Sequence, residues 1–214
     1  MATVEEESRR LEMLHAALDV IVERGFPDTR ISDVAEGAGV SPALVIYYFK
    51  TKDRLLAEAM RHSEDVWYAE MQRRTEAISS AAGRLEEVVA MTCLPNRDPS
   101  SGESWAVWLD LWAQALRDPD VRTVREEFDE HFRETLRQIV RRGEAQGEFH
   151  DVDADDFAVA YSALLDGFAI QIALADPVVG PERAFDLAMR VAANELGFEW
   201  RASRAKRGST RRVR

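Results

Sequence analysis

The chain has 214 residues, 46 % of them hydrophobic, which is enough apolar material for a real core and excludes a wholly disordered segment. Its single cysteine, Cys93, excludes an internal disulfide and argues against a cysteine-ligated metal. No stretch reaches the roughly 18 unbroken apolar residues of a membrane span, and the first ten residues carry three glutamates rather than a secretory apolar run, so a cytoplasmic protein without membrane contact is expected.

The pattern is helical from end to end, and no stretch alternates in the period of a half-buried strand. Leu11, Leu14, Leu18, Ile21 and Val22 recur at three and four residues and make one apolar face, closed by Gly25. Thr29 is placed to cap the next helix, with Ile31, Val34 and Ala35 inward and Gly39 as its stop. Ser41 caps a third helix with Pro42 in its first turn, and Thr51 caps a fourth running from Lys52 to about Ser79. A short helix is expected from Gly83 to Cys93, a loop from Leu94 to Gly102, and a helix from Ser104 to Leu116. Asp118-Pro119 then opens a long helix striped by Val121, Val124, Phe128, Phe132, Leu136, Ile139 and Val140 and closed by Gly147. Two more follow, about Asp155–Ala175 and Pro181–Leu196, to make an all-α chain of about nine helices.

Residues 201–214, RASRAKRGSTRRVR, hold seven basic residues and no acidic one, with almost nothing to bury, and read as a disordered tail. The whole chain carries a net charge of −11, and residues 1–60 hold 7 Lys or Arg against 11 Asp or Glu. Charge therefore does not point to nucleic acid, for which a basic domain is usual. The tail could offset the acidic body by drawing in phosphates, or could be solvated without a role.

Residues 29–49, TRISDVAEGAGVSPALVIYYF, put two short helices about the turn Ala38-Gly39-Val40. A tight turn sets the second helix across the first, where it can enter a major groove. Val34, Ala35, Val40 and Val45 are spaced to pack the pair, leaving Ser41, Ala43, Leu44 and Tyr47 to face outward. On geometry alone, with the surrounding charge unfavourable, an ordinary hairpin in a helical bundle is the preferred reading.

Residues 11–56 resemble the N-terminal domain of the TetR/AcrR family of transcriptional repressors. The match runs from Leu14, Ala16, Ala17 and Leu18 through Glu23–Phe26, Thr29, Ile31, Asp33–Ala35 and Ala38–Ser41. It ends at Tyr48-Phe49, Lys52 and Leu55-Leu56. Here SPALVIYYF stands for the family's second-helix pattern, with Ile46 where a tyrosine is usual and Ala43 where glycine is common. The resemblance implies a DNA-binding domain over 1–56 and an effector-binding and dimerising domain over 57–200. It also implies phosphate contacts by Thr29, Tyr47 and Lys52, and base-edge positions for Arg30, Ser41, Pro42, Ala43 and Leu44. Tyr48 could touch DNA or pack against Phe26. Lys52 sits at a helix start, against the dipole, which a phosphate would explain as well as plain solvation. Side chains of this kind read mostly thymine methyls, and Arg30 alone among them has a guanidinium fork for guanine.

In the second domain, FAVAYSALLDGFAIQIALA over 157–175 is apolar nearly all round, so it must be covered on several sides. Either a second subunit or the interior of the monomer can provide that cover. A homodimer interface is expected through Phe157, Leu164, Phe168, Phe185, Ala188 and Val191. Trp105, Trp108 and Trp112 share one helical face, with Leu109 and Leu116 extending it. With Trp67, Phe128, Phe132, Tyr161 and Asp166 they form the expected pocket for an aromatic or cationic effector. Plain core packing is the competing reading for each. Asp166 lies in an apolar helix and must meet a partner or become neutral, whereas Glu103 and Asp110 are expected to face solvent. Residues 57–196 are similar to the BetI-like branch of the same family, mainly in WLDLWAQALRDPDVR and LLDGFAIQIAL.

The expected function is a homodimeric repressor that binds an inverted-repeat double-stranded operator and is released by a small molecule. An activator or effector-independent regulator of the same fold, and a helical interaction protein without DNA binding, are the alternatives. The histidines are scattered and no nucleophile–base pair, phosphate loop or metal motif emerges, so neither enzyme activity nor a cofactor is expected.

Overall fold

The computed structural model describes residues 4–94 and 105–201. Among these the chain is all helical, in the order α1 (Val4–Arg24), α2 (Ile31–Gly37), α3 (Pro42–Phe49), α4 (Lys52–Thr75), α5 (Ala81–Cys93), α6 (Trp105–Ala115), α7 (Pro119–Gln146), α8 (Ala154–Ala173) and α9 (Pro181–Leu196). Most of the 94–102 loop, Glu103 and the basic tail beyond Arg201 lie outside the described residues.

The helix starts follow the capping residues, with one exception. Ser41 and Thr51 accept the amides of Leu44 and Arg54 at 3.3 and 3.1 Å, and Asp118 accepts that of Val121 at 3.3 Å. Thr29 does not cap α2: its hydroxyl donates back to the Gly25 carbonyl at 2.8 Å, and Arg30 stands at the N-cap without a side-chain bond. The helix expected from Gly83 begins two residues earlier, because Ser80 caps it through the Gly83 amide at 3.1 Å. Ser80 in turn donates to Glu148, which also accepts the Ala82 amide at 3.1 Å. Helix α4 ends at Thr75, short of Ser79.

Two apolar clusters hold the molecule. The first joins α1–α4 (Leu14, Ile21, Phe26, Val34, Val45, Phe49, Leu55, Met60) to α6 and the front of α7 (Val107, Leu111, Ala115, Val121, Val124, Phe128). The second joins α5, the back of α7, α8 and α9, with Leu85, Leu136, Leu165, Met189 and Leu196 at or near full burial. Helix α7 therefore spans both clusters. Along it Arg137, largely covered, pairs with Glu130, Glu134 and Asp155 at 2.8, 2.7 and 2.6 Å.

Candidate nucleic-acid interface and effector region

The turn between α2 and α3 is built on Gly39, whose φ of +65° lies in the left-handed region that side chains disfavour. The amides of Gly39 and Val40 close it on the carbonyls of Glu36 and Ala35 at 3.1 and 2.9 Å. Val34, Ala35 and Val45 pack the pair, fully buried, and Val40 covers them from the rim. What remains outside on α3 is Ser41, Pro42, Ala43, Ile46 (51 % exposed) and Tyr47 (69 %), with Leu44 half-buried. Ile46 thus stands on the outer face where a tyrosine is usual.

The other expected DNA contacts divide. Arg30 is exposed. Tyr48 is half-buried against the first cluster, edge-on to the Tyr47 ring at 5.5 Å. Thr29 is 4 % exposed, with its hydroxyl used internally. Lys52 is engaged inside the protein: its ammonium donates to the carbonyls of Phe26 and Pro27 at 2.7 and 3.0 Å and lies 4.5 Å above the Phe26 ring. That contact accounts for a lysine at a helix start without any phosphate.

Lys50 was not singled out by the pattern. It stands at the end of α3 with φ +66°, its ammonium 2.6 Å from the Tyr47 carbonyl and 5.0 Å from the Tyr47 ring. The pair presents one exposed cation beside an exposed phenol. The dipole favours a cation at a helix C-terminus, and this could have marked the residue.

Asp110 departs furthest from a solvated acid. Its carboxylate does not face solvent but accepts the backbone amide of buried Phe26 at 2.7 Å, joining α6 to the turn between α1 and α2. The same turn holds Gly25 at φ +77°, where a Cβ would lie 3.2 Å from the Asp110 oxygen. Phe26 is therefore gripped twice, at its N–H by Asp110 and at its C=O by Lys52.

In the larger domain the expected aromatics form two groups against α7. Trp108 meets Phe128 edge-on at 5.6 Å, while Trp67 meets Phe132 at 6.0 Å and Tyr68 at 4.9 Å. Phe128 and Phe132 are one turn apart, so the two groups adjoin. Trp105 and Trp112 are half-buried, but Leu116 is 76 % exposed and does not extend their face. Tyr161 belongs elsewhere: it is buried, its hydroxyl donates to the Ala188 carbonyl at 3.0 Å, and its ring stacks on Phe157 at 4.9 Å. It ties α9 to α8.

Two carboxyls of this domain are perturbed by burial. Burial, then the neighbouring Asp65, pushes the Glu64 carboxyl up to about 7. His131 Nδ1 lies 3.6 Å from Glu64, and the His131 ring stacks on Tyr68 at 3.7 Å. Burial, then Asp129, pushes Asp166 up to about 6, and the guanidiniums of Arg125 and Arg133 only partly oppose this. Glu64, Tyr68, His131 and Asp129 were not read from the sequence. The signal was their spacing: Glu64 and Tyr68 are one turn apart, as are Arg125, Asp129 and Arg133.

Helix α8 has two different apolar faces. Phe157 and Ala188 are buried inside the protomer, so these two side chains cannot line an intersubunit surface as expected. Leu164, Phe168 and Phe185 are partly buried against their own core, and Val191 is 44 % exposed. The outward face carries Val159, Ala160, Ala163, Gly167, Gln171 and Leu174, apolar but for the glutamine, and a Cβ on Gly167 would meet nothing within 4 Å. By length and a mean hydropathy of 1.2 this helix could cross a membrane, but Asp166 interrupts it and its inward face is part of the second cluster.

Comparison with known proteins follows the same division. The family model for bacterial regulatory proteins of the tetR family matches residues 13–59, and the model for the C-terminal part of BetI-type transcriptional repressors matches residues 81–197. The chain is similar to the HTH-type transcriptional regulator BetI of Burkholderia mallei, 31 % identical over 185 residues, covering 85 % of this chain and 90 % of that one. Among solved structures it is similar to a transcriptional regulator from Saccharomonospora viridis in complex with choline. That likeness has a TM-score of 0.78 and 28 % identity, and covers 88 % of this chain and 96 % of the other. A TetR-family regulator from a Rhodococcus species superposes with a TM-score of 0.78 at 25 % identity, over 89 % of this chain and 99 % of the other.

Proposed function

The chain belongs to the TetR family of bacterial transcriptional regulators, with a BetI-type C-terminal domain, and on that premise we propose that it is a homodimeric repressor released from its operator by a small organic cation. The observation that carries the reading is the exposed rim of α3, where Ser41, Pro42, Ala43, Ile46 and Tyr47 project together from a helix-turn-helix. Arg30 and Lys50 supply cations beside that rim. Two such helices in a dimer would read half-sites about one helical turn, or ~34 Å, apart on an inverted repeat. The outward face of α8, small-residued and apolar about Gly167, is the surface a second copy would cover, with Val191 of α9 at its edge.

The cationic effector is supported by chemistry and by likeness. Glu64, beside the Tyr68 and His131 rings, and Asp166, beside Asp129, Arg125 and Arg133, are part-buried carboxyls whose ionised forms burial disfavours, and a quaternary ammonium would be drawn to the acids and, at Glu64, to the neighbouring rings. The similar S. viridis regulator was solved with choline. Release requires the effector to bind the form of the dimer that no longer fits the operator more tightly than the form that does.

The test is an electrophoretic shift with the DNA upstream of the protein's own gene, at two salt concentrations, with choline added to the formed complex. A salt-sensitive band carrying two protomers, dissolved by choline, is expected. Absence of a shift with any promoter fragment at low salt would refute the repressor reading. A shift indifferent to choline and to other quaternary ammonium compounds would refute the effector.

A further inference from the structure

We propose that His15 and His62 form a binding site for a divalent transition metal of the Cu(II) or Ni(II) kind, bridging α1 and α4. The two Nε2 atoms face each other across the helices at 2.9 Å, with ring centroids 4.9 Å apart and planes inclined at 46°. An imidazole nitrogen binds such ions at about 2.1 Å. At that length two nitrogens 2.9 Å apart subtend about 90° at the metal. This is the cis angle of square-planar and octahedral coordination, which Cu(II) and Ni(II) favour with nitrogen ligands. A tetrahedral ion would need the nitrogens roughly half an ångström further apart.

The protonation fits as well. Between two neutral rings, one Nε2–H donates to the other Nε2. On metal binding the donor ring takes its Nδ1–H tautomer, both Nε2 lone pairs turn to the ion, and no net proton need leave the protein. His15 is exposed and His62 half-buried, so the ion has a direct path from solvent. Asp65 attracts a cation here and Arg10 opposes it. Among the described residues no group of three ligating side chains gathers at any point, so water completes the coordination shell. The other two histidines are placed elsewhere, His131 beside Glu64 and His150 against the Glu195 carbonyl at 2.7 Å.

The location gives such a site a consequence. Helix α1 belongs to the DNA-binding head, and α4 runs from that head into the larger domain. An ion on both histidines pins one to the other where they cross.

The experiment is titration of the full chain with Cu(II) in chelator-free buffer, followed by calorimetry and electron paramagnetic resonance, with Ni(II) as second probe. One strongly bound Cu(II) per chain with the hyperfine pattern of two imidazole nitrogens is expected, with a melting temperature raised by several degrees. His15→Ala and His62→Gln should each abolish the site, and His150→Ala should keep it. Circular dichroism confirms that the variants fold, which the exposure of His15 favours. Absence of a stoichiometric site in the unaltered chain, or a two-nitrogen site that survives either substitution, overturns the proposal.

Discussion

Replacing Asp110 by alanine removes the acceptor for the Phe26 amide, which is buried with its side chain at 4 % exposure. A buried donor left without a partner costs about 1–3 kcal/mol, and the lost bond is a charged one, towards the upper end of that range. The cost falls on the junction of α6 with the head, so it should appear in two places. Urea unfolding should show a loss of about 2 kcal/mol in stability. On the proposed release by choline, the concentration needed should also shift where the bond is kept in one form of the proposed dimer and not the other, because such a contact biases their equilibrium by its own strength. A bias of about 1–3 kcal/mol corresponds to roughly 5- to 150-fold in coupling. Asp110→Asn keeps an oxygen acceptor in the same place and should recover most of both effects. Were Asp110→Ala to unfold within about 0.5 kcal/mol of the parent and release DNA at the same choline concentration, the reasoning would be refuted.

Three further outcomes are expected. Lys50→Gly relieves a positive φ and should raise stability by about 1 kcal/mol, while lowering operator affinity and reducing the salt slope by about one ion; an unchanged slope would deny Lys50 a phosphate contact. Gly167→Leu places a bulky side chain on the open face of α8 and should convert the proposed dimer to monomer in sedimentation without changing the monomer's helicity; an undisturbed dimer would place the interface elsewhere. The Glu64 carboxyl, raised from 4.5 to about 7, favours folding most below its ordinary value, and that contribution is lost as pH rises through about 7. A bound cation favours the ionised form, so choline affinity should rise with pH across the same window, by at most about tenfold per unit. Glu64→Gln should flatten that profile in calorimetric titrations at pH 5.5, 6.5 and 7.5, and a profile identical to the parent would exclude Glu64 from the site.

Much of the fold is visible before any coordinates, because its signals are local. Ser41, Thr51 and Asp118 cap their helices through side chains a few residues away, and Gly25, Gly39, Gly147 and Gly197 end theirs at positive φ. The helix-turn-helix is legible for the same reason, since Val34, Ala35 and Val45 pack across one short turn. What escapes is every contact that depends on distant partners. Thr29 has the composition of a cap but turns to Gly25, and Lys52 reaches back 26 residues to carbonyls that only the fold brings near. Asp110 has the look of a solvated acid until the turn 84 residues away is placed beside it. Helix α8 shows the limit most directly: its periodicity is that of a helix covered on several sides. It does not say that Phe157 and Tyr161 turn to the protomer's own α9 while Gly167 turns away.

The first apolar cluster takes Val107, Leu111, Ala115, Val121, Val124 and Phe128 from α6 and α7 into the same core as Phe26, Val34 and Phe49. Anyone exchanging operator specificity between relatives of this protein would naturally cut the chain near residue 56 and splice in another reader. Such a transplant arrives without the far wall of its own interior and must mate with a foreign one. The workable graft changes only the outer surface of α3 and its rim, leaving every inward side chain and Asp110 in place. For an engineer the exchangeable part is a handful of exposed residues rather than a domain.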